Sequence, residues 1–274
     1  MNLKFIVNDY VLIWNLLFQA SISENIHRLK QKIWINYKVK YNIAFADNNK
    51  ILSDPKNFIP DDDTIYNIVM ENKEYERIRK NTDKYRVKLL ELWDSNKKAS
   101  LKELKDILRF DAGENKILVV SEKLDTVQKG PNNVVVWGKK IDSDNAIKTL
   151  VSLVHFIIKD QLKDYKPKYQ DVVDAVVELA IINEYATRIM GTTNYLNGDN
   201  SLSFLKRQIY PYWLMYLGVK KEDMNKYMNR DRIGFDVEKY TYEGELKKLD
   251  LFGFIDFCIT NQKYIVKIEQ IEIL

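Results

Sequence analysis

Two short β-branched runs near the middle of this chain, residues 116–120 and 133–138, restrict its fold more than any other feature, because the long stretches on either side carry helical periodicity instead. The first is Lys116, Ile117, Leu118, Val119 and Val120; the second is Asn133, Val134, Val135, Val136, Trp137 and Gly138. Branched apolar residues in succession suit a buried strand, and Gly130, Pro131 and Asn132 between the runs supply turn chemistry. Two strands set among amphipathic helices predict a mostly helical α+β protein with a small β-sheet and paired helices. Gly113, where the texture changes, marks the one division that composition supports: a helical region over 1–112 and an α+β region over 113–274, the two together still able to form one compact unit.

The helices are read from spacing. Val11, Trp14, Phe18, Ile22, Ile26, Leu29 and Ile33 predict one long or two stacked helices over 7–41. Residues 47–63 hold Pro55 and Pro60 and form a loop ending in Asp61, Asp62, Asp63 and Thr64, where Asp or Thr caps the next helix. A surface helix follows over 65–92 and a short one over 100–110. Asp142, Ser143 and Asp144 offer caps for a helix over 146–162, with Ile147, Leu150, Val151, Val154 and Ile158 on one face. Another helix over 171–190 stops at Gly191. Beyond it come a helix over 201–217 that Pro211 should kink, helical pieces over 220–251 and a strand over 264–268.

Composition removes several classes of function. At 274 residues and 46% hydrophobic content the chain can bury a substantial core. Lys and Arg number 43 against 39 Asp and Glu, a net +4 that does not demand a nucleic-acid surface. Abundant Lys, Asn, Ile and Tyr with few Gly and Pro fit a bacterial-type, AT-rich coding source. The single cysteine, Cys258, excludes an internal disulfide or a cysteine-rich zinc site; it is expected as a buried small hydrophobe in a reducing, cytoplasmic setting. Asn8, Asp9 and Asn15 break the apolar start, so no cleavable leader is expected, and no run reaches the roughly 18 apolar residues of a spanning helix. No phosphate-binding glycine loop, dinucleotide fingerprint or nucleophile elbow is present.

The pattern that bears on chemistry lies after the second strand. His155 flanks the apolar face of the 146–162 helix, followed by Phe156 and, one turn on, Lys159; the next helix carries Asn183 and Glu184. A strand, a His helix and an Asn-Glu helix in this order resemble the gluzincin type of zinc metallopeptidase over about the middle third of the chain. The resemblance implies His155 as the first metal histidine, Phe156 at the general base, Lys159 at the second histidine and Glu184 as third ligand. Two of the four depart from the pattern. An ammonium at position 159 would repel a dication, a phenyl ring at 156 cannot take a proton from water, and the only other histidine is the distant His27.

What the resemblance then implies is a non-catalytic relative of zinc peptidases without a cofactor, retaining at most a peptide- or protein-binding cleft along an edge strand of Val134, Val135, Val136 and Trp137. A Lys159–Glu184 ion pair would stand where the metal sits. The competing atypical zinc peptidase would use His155 and Glu184, but helical rotation puts Asp160 about 140° from His155 and Glu178 about 120° from Glu184, so neither carboxylate joins its neighbour. Plainer readings are a core histidine at 155, a Glu184–Arg188 pair at i+4, and Asn183 bonded to backbone. A different class is a nucleic-acid-associated helical protein, with Tyr210, Tyr212, Trp213 and Tyr216 as a stacking platform beside Lys206 and Arg207. The same aromatic spacing around Pro211 packs a core, and Arg77, Arg79, Lys80, Lys97 and Lys98 read as solvent faces.

Overall fold

The computed structural model describes residues 1–18, 22–44, 48–191, 197–230 and 246–261. They gather into two compact units, Met1–Asn96 with Gly113–Thr149, and Lys97–Ala112 with Leu150–Leu274. The chain is mostly helical α+β with one small mixed sheet.

The first unit contains β1 (Asn2–Ile6), α1 (Asp9–Phe18), α2 (Glu24–Ala44), α3 (Asn48–Ser53), α4 (Thr64–Met70) and the first part of α5 (Lys73–Leu108). It is completed by β2 (Glu114–Val119), β3 (Val127–Gly130), β4 (Val134–Trp137) and the opening of α6 (Ala146–Gln161). The sheet order is β1-β2-β4-β3, with β1, β2 and β4 parallel and β3 antiparallel to β4. The two expected strands are β2 and β4. β1 and β3 carry too few branched residues to stand out, and β1 is a strand because Asn2 pairs across the chain with Glu114. That pairing places the N-terminal helices and the sheet in one unit, so Gly113 is one of three points where the chain passes from one unit to the other rather than a single boundary.

Leu118, Val120, Val134 and Val136 share one core with Leu12, Leu16, Ile26, Ile33, Ile65 and Tyr66. Ile117, Val119, Val135 and Trp137, which alternate with them, are also buried. A sheet covered on both faces needs continuous apolar strands, which is why these runs do not alternate with polar residues. Asn132 and Asn133 both take positive φ in the β3–β4 reversal, a conformation that asparagine tolerates. The reversal corrects the edge-strand expectation: Val134, Val135, Val136 and Trp137 lie between β2 and β3, and the edges are β3 on that side and β1 on the other.

α5 runs for 36 residues and absorbs the two helices expected over 65–92 and 100–110, leaving only α4 apart. No glycine or proline interrupts it between Trp93 and Ser100. The loop expected over 47–63 contains α3, whose Ile51 and Leu52 are buried.

The second unit takes the end of α5, most of α6, α7 (Gln170–Glu178), a π-helical segment (Leu179–Tyr185), α8 (Ala186–Met190), α9 (Ser203–Tyr216), α10 (Lys221–Arg230) and α11 (Leu251–Thr260). Gly191 ends α8 at φ +68, as its position predicted. Pro211 lies inside α9 without ending it. Tyr210, Tyr212, Trp213 and Tyr216 are buried, at most 4% exposed, so the stacking platform is core. Trp213 and Tyr216 stack at 5.0 Å between ring centroids, and Phe254 of α11 meets Tyr216 at 4.8 Å. Arg109 clamps this core by donating to the carbonyls of Tyr216, Lys247 and Leu249 at 2.8, 2.6 and 3.0 Å. Cys258 is buried, and burial pushes its thiol well above the ordinary range. No helix among the described residues is long and apolar enough to cross a membrane. The strand expected over 264–268 lies outside the described residues.

Candidate functional site

The residues that sequence spacing brought together are divided in the second unit. Lys159 pairs with Asp174 of α7 at 2.8 Å. Glu184 accepts from Arg188 at 2.6 Å, the i+4 partner, and Arg188 also donates to Glu103 at 2.9 Å and to Asp106. The expected Lys159–Glu184 ion pair is therefore replaced by two separate pairs. The physical reason lies in helix geometry: Asp174 presents a nearer carboxylate to α6, while Arg188 reaches Glu184 along its own helix.

The charged centre of this region is a pair that spacing did not find. Lys206 of α9 is completely buried, and its ammonium donates to Glu178 Oε2 at 2.7 Å and to the Asn197 carbonyl at 2.8 Å. Glu178, 5% exposed at the end of α7, also accepts from the Asp199 backbone N–H at 3.0 and 3.2 Å. A buried carboxylate held by an ammonium and a backbone donor satisfies the requirement that interior charge be paired and hydrogen-bonded. Asn183, fully buried in the π-helical segment, donates to the same Asn197 carbonyl at 3.1 Å, and its Oδ1 has no partner among the described residues. Gly198 passes so close that a Cβ would stand 2.3 Å from Glu178 Oε2.

Rotation at 100° per residue could not have located Glu178. The segment from Leu179 to Tyr185 is π-helical, with a wider i→i+5 turn, so an α-helical angle between Glu178 and Glu184 does not apply. Sequence spacing gives Lys206 only as a cation beside the aromatic platform, and the signal for its burial is its place among Leu205, Ile209 and Tyr210.

His155 is largely enclosed, with its Nε2 lacking a hydrogen-bond partner among the described residues, and Phe156 beside it is half-buried. Burial depresses the imidazole pKa below 6.5; the Glu178 and Asp174 carboxylates oppose this, while the Lys159 and Lys206 charges add to it. A histidine depressed in the folded state binds its proton more readily when unfolded. It therefore costs no stability above its unfolded pKa, and stability falls as pH drops below about 6.5. His155→Gln should lose less stability than the parent chain between about pH 7 and pH 5, read from urea midpoints; parallel pH profiles would contradict the assignment.

Among the described residues no group of three His, Cys, Asp or Glu side chains is placed to hold a metal ion. The donors proposed from spacing do not fit a dication: Glu184 is engaged by a guanidinium, and the charges around His155 include two ammoniums. No protein-family model, curated protein or solved structure matches this chain.

Proposed function

We propose that the chain is a metal-independent, non-catalytic protein with a layout like that of zinc peptidases, and that it acts by binding a peptide or protein segment. The observation that carries the reading is Lys206. Its buried ammonium, carried by α9, meets Glu178 at the end of α7, shares the Asn197 carbonyl with Asn183, and acts on the charge of His155, an internal cation beside the residues that would otherwise hold a zinc ion. The strand order supports the layout, since an antiparallel β3 turns into β4 and β4 leads on to α6. Lacking a general base at Phe156 and a free carboxylate at Glu184, the site offers neither water activation nor a metal ligand set.

Binding is assigned to β3, the one of the two terminal strands that adjoins β4. The Gly138 N–H bonds to the Thr126 carbonyl, so in antiparallel alternation the backbone groups of Gln128 and Gly130 face β4, and those of Val127 point away from it. An extended segment adding there would pair main chain to main chain. Chain purified without chelator should contain less than about 0.1 equivalent of zinc by elemental analysis; stoichiometric zinc would overturn the metal-free half of the proposal. Val127→Pro, which removes an outward donor and leaves the β4 ladder intact, should abolish capture of extended peptides, with little dependence on salt. Capture that survives this substitution would overturn the β3 assignment, and steep salt dependence would favour a polyanionic partner.

A further inference from the structure

We propose that the first unit carries a separate binding site for a small phosphate-bearing ligand, in a cleft against α5 where lysines without a carboxylate partner among the described residues converge. The cleft has a volume of ≈ 200 Å³, and its walls include Arg77, Thr82, Lys84 and Lys88 of α5 with Ser121 and Lys123 from the segment after β2. Arg77, Lys84 and Lys88 follow one another at seven and four residues, two turns and one turn, and so share a face of the helix. Sequence alone had placed Arg77 on a solvent face; the structure puts it in the wall of a cleft.

Charge accounting decides the class of ligand. Arg77 is engaged by Glu74 in a two-point ion pair at 3.1 and 2.7 Å, with the Ser23 hydroxyl donating to the same carboxylate at 3.0 Å. Lys84, Lys88 and Lys123 have no carboxylate partner among the described residues, and Glu122 is the one further acid in the wall. Three ammoniums less one carboxylate leave a charge of +2 facing a partly enclosed space. Lys123 is close enough to help hold the Glu74 carboxyl below its ordinary range, after the larger effect of Arg77, so the cations from α5 and from the 121–123 segment act on one volume.

Hydroxyls complete the lining. Thr82 is 1% exposed and its Oγ1 has no hydrogen-bond partner, while Ser121 Oγ accepts from the Lys123 N–H at 3.4 Å and keeps its own proton for donation. Lysines with nearby hydroxyl and backbone donors suit a phosphate, which offers several strong acceptor oxygens at once. An open trough bounded by Arg28, Lys32 and Lys73 shares Glu74 and Arg77 with the cleft and gives the rest of such a ligand room. A nucleic-acid strand fits less well: the aromatic ring in the wall, Tyr85, is buried and its hydroxyl is held by the Lys139 carbonyl, so bases have no stacking surface.

The test is calorimetric titration of the full chain with inorganic phosphate and with pyrophosphate at fixed low ionic strength. Saturable binding at one equivalent is expected, weakened about tenfold or more by Lys84→Gln with Lys88→Gln and unchanged by Lys97→Gln with Lys98→Gln elsewhere on α5. No saturation up to about 10 mM pyrophosphate, or equal binding in both double variants, would overturn the site. A single-stranded oligonucleotide that displaces pyrophosphate and binds more tightly would overturn the small-ligand assignment in favour of a polyanion. Neither result depends on the peptide-binding reading of β3.

Discussion

Lys206→Met should lower the unfolding free energy by about 3–5 kcal/mol, because it leaves the Glu178 carboxylate buried beside His155 without its counter-charge. Removing both charges is a different experiment. Glu178→Gln combined with Lys206→Met should recover much of that loss, since the desolvation of two charges is then avoided along with their attraction. Urea unfolding of the parent, the two single variants and the double variant yields the coupling between the residues. A single-variant loss below about 1 kcal/mol would show that the ammonium is not what holds Glu178 in the interior, and would remove the main support for an internal cation in place of a metal.

Gly198→Ala is the second large expected effect, a loss of at least about 3 kcal/mol. Two causes add. Gly198 adopts φ +124, a region reserved for glycine, and an alanine Cβ would meet Glu178 Oε2 at 2.3 Å and its Cδ at 2.8 Å. Gly191→Ala is the control: at φ +68 it bears the left-handed cost of about 1–2 kcal/mol, but among the described residues nothing lies within 4 Å of its added methyl. In a Glu178→Ala background the cost of Gly198→Ala should fall towards that of Gly191→Ala, because the clashing atoms are gone. An unchanged cost would place the strain in the backbone alone.

Both predictions concern the segment from Asn197 to Asp199, where one carbonyl, one N–H and one glycine close around a charge pair. Such a segment has no sequence signature. Asn, Gly, Asp and Asn in succession read as a turn, and only the arrival of Lys206 and Glu178 from two helices gives each backbone group its partner.

Much of the secondary structure was legible because it is local. The apolar spacing behind α1, α2, α6 and the α7–α8 run, the turn at Asn132 and Asn133, and the stop at Gly191 all arise from conformational preferences of nearby residues. The pairing of Glu184 with Arg188 was legible for the same reason, since it follows from the i+4 spacing along one run of chain. β1 and β3 were not, because each is a strand through its partner: Asn2 is matched with Glu114, and the short Val127 to Gly130 stretch depends on β4.

By itself the sequence determined a mostly helical α+β chain with a small buried sheet, a buried lone cysteine, and a His helix whose motif departs from a metal site at Phe156 and Lys159. Tertiary structure decided which strand lies at the edge, which carboxylate each cation meets, and that Lys206 rather than Lys159 is the interior charge. The difference is physical. Periodicity reports which face of an element is apolar, whereas ion pairs and sheet edges depend on how separate elements meet, and a π-helical turn between Leu179 and Tyr185 alters the rotation on which any such inference from spacing relies.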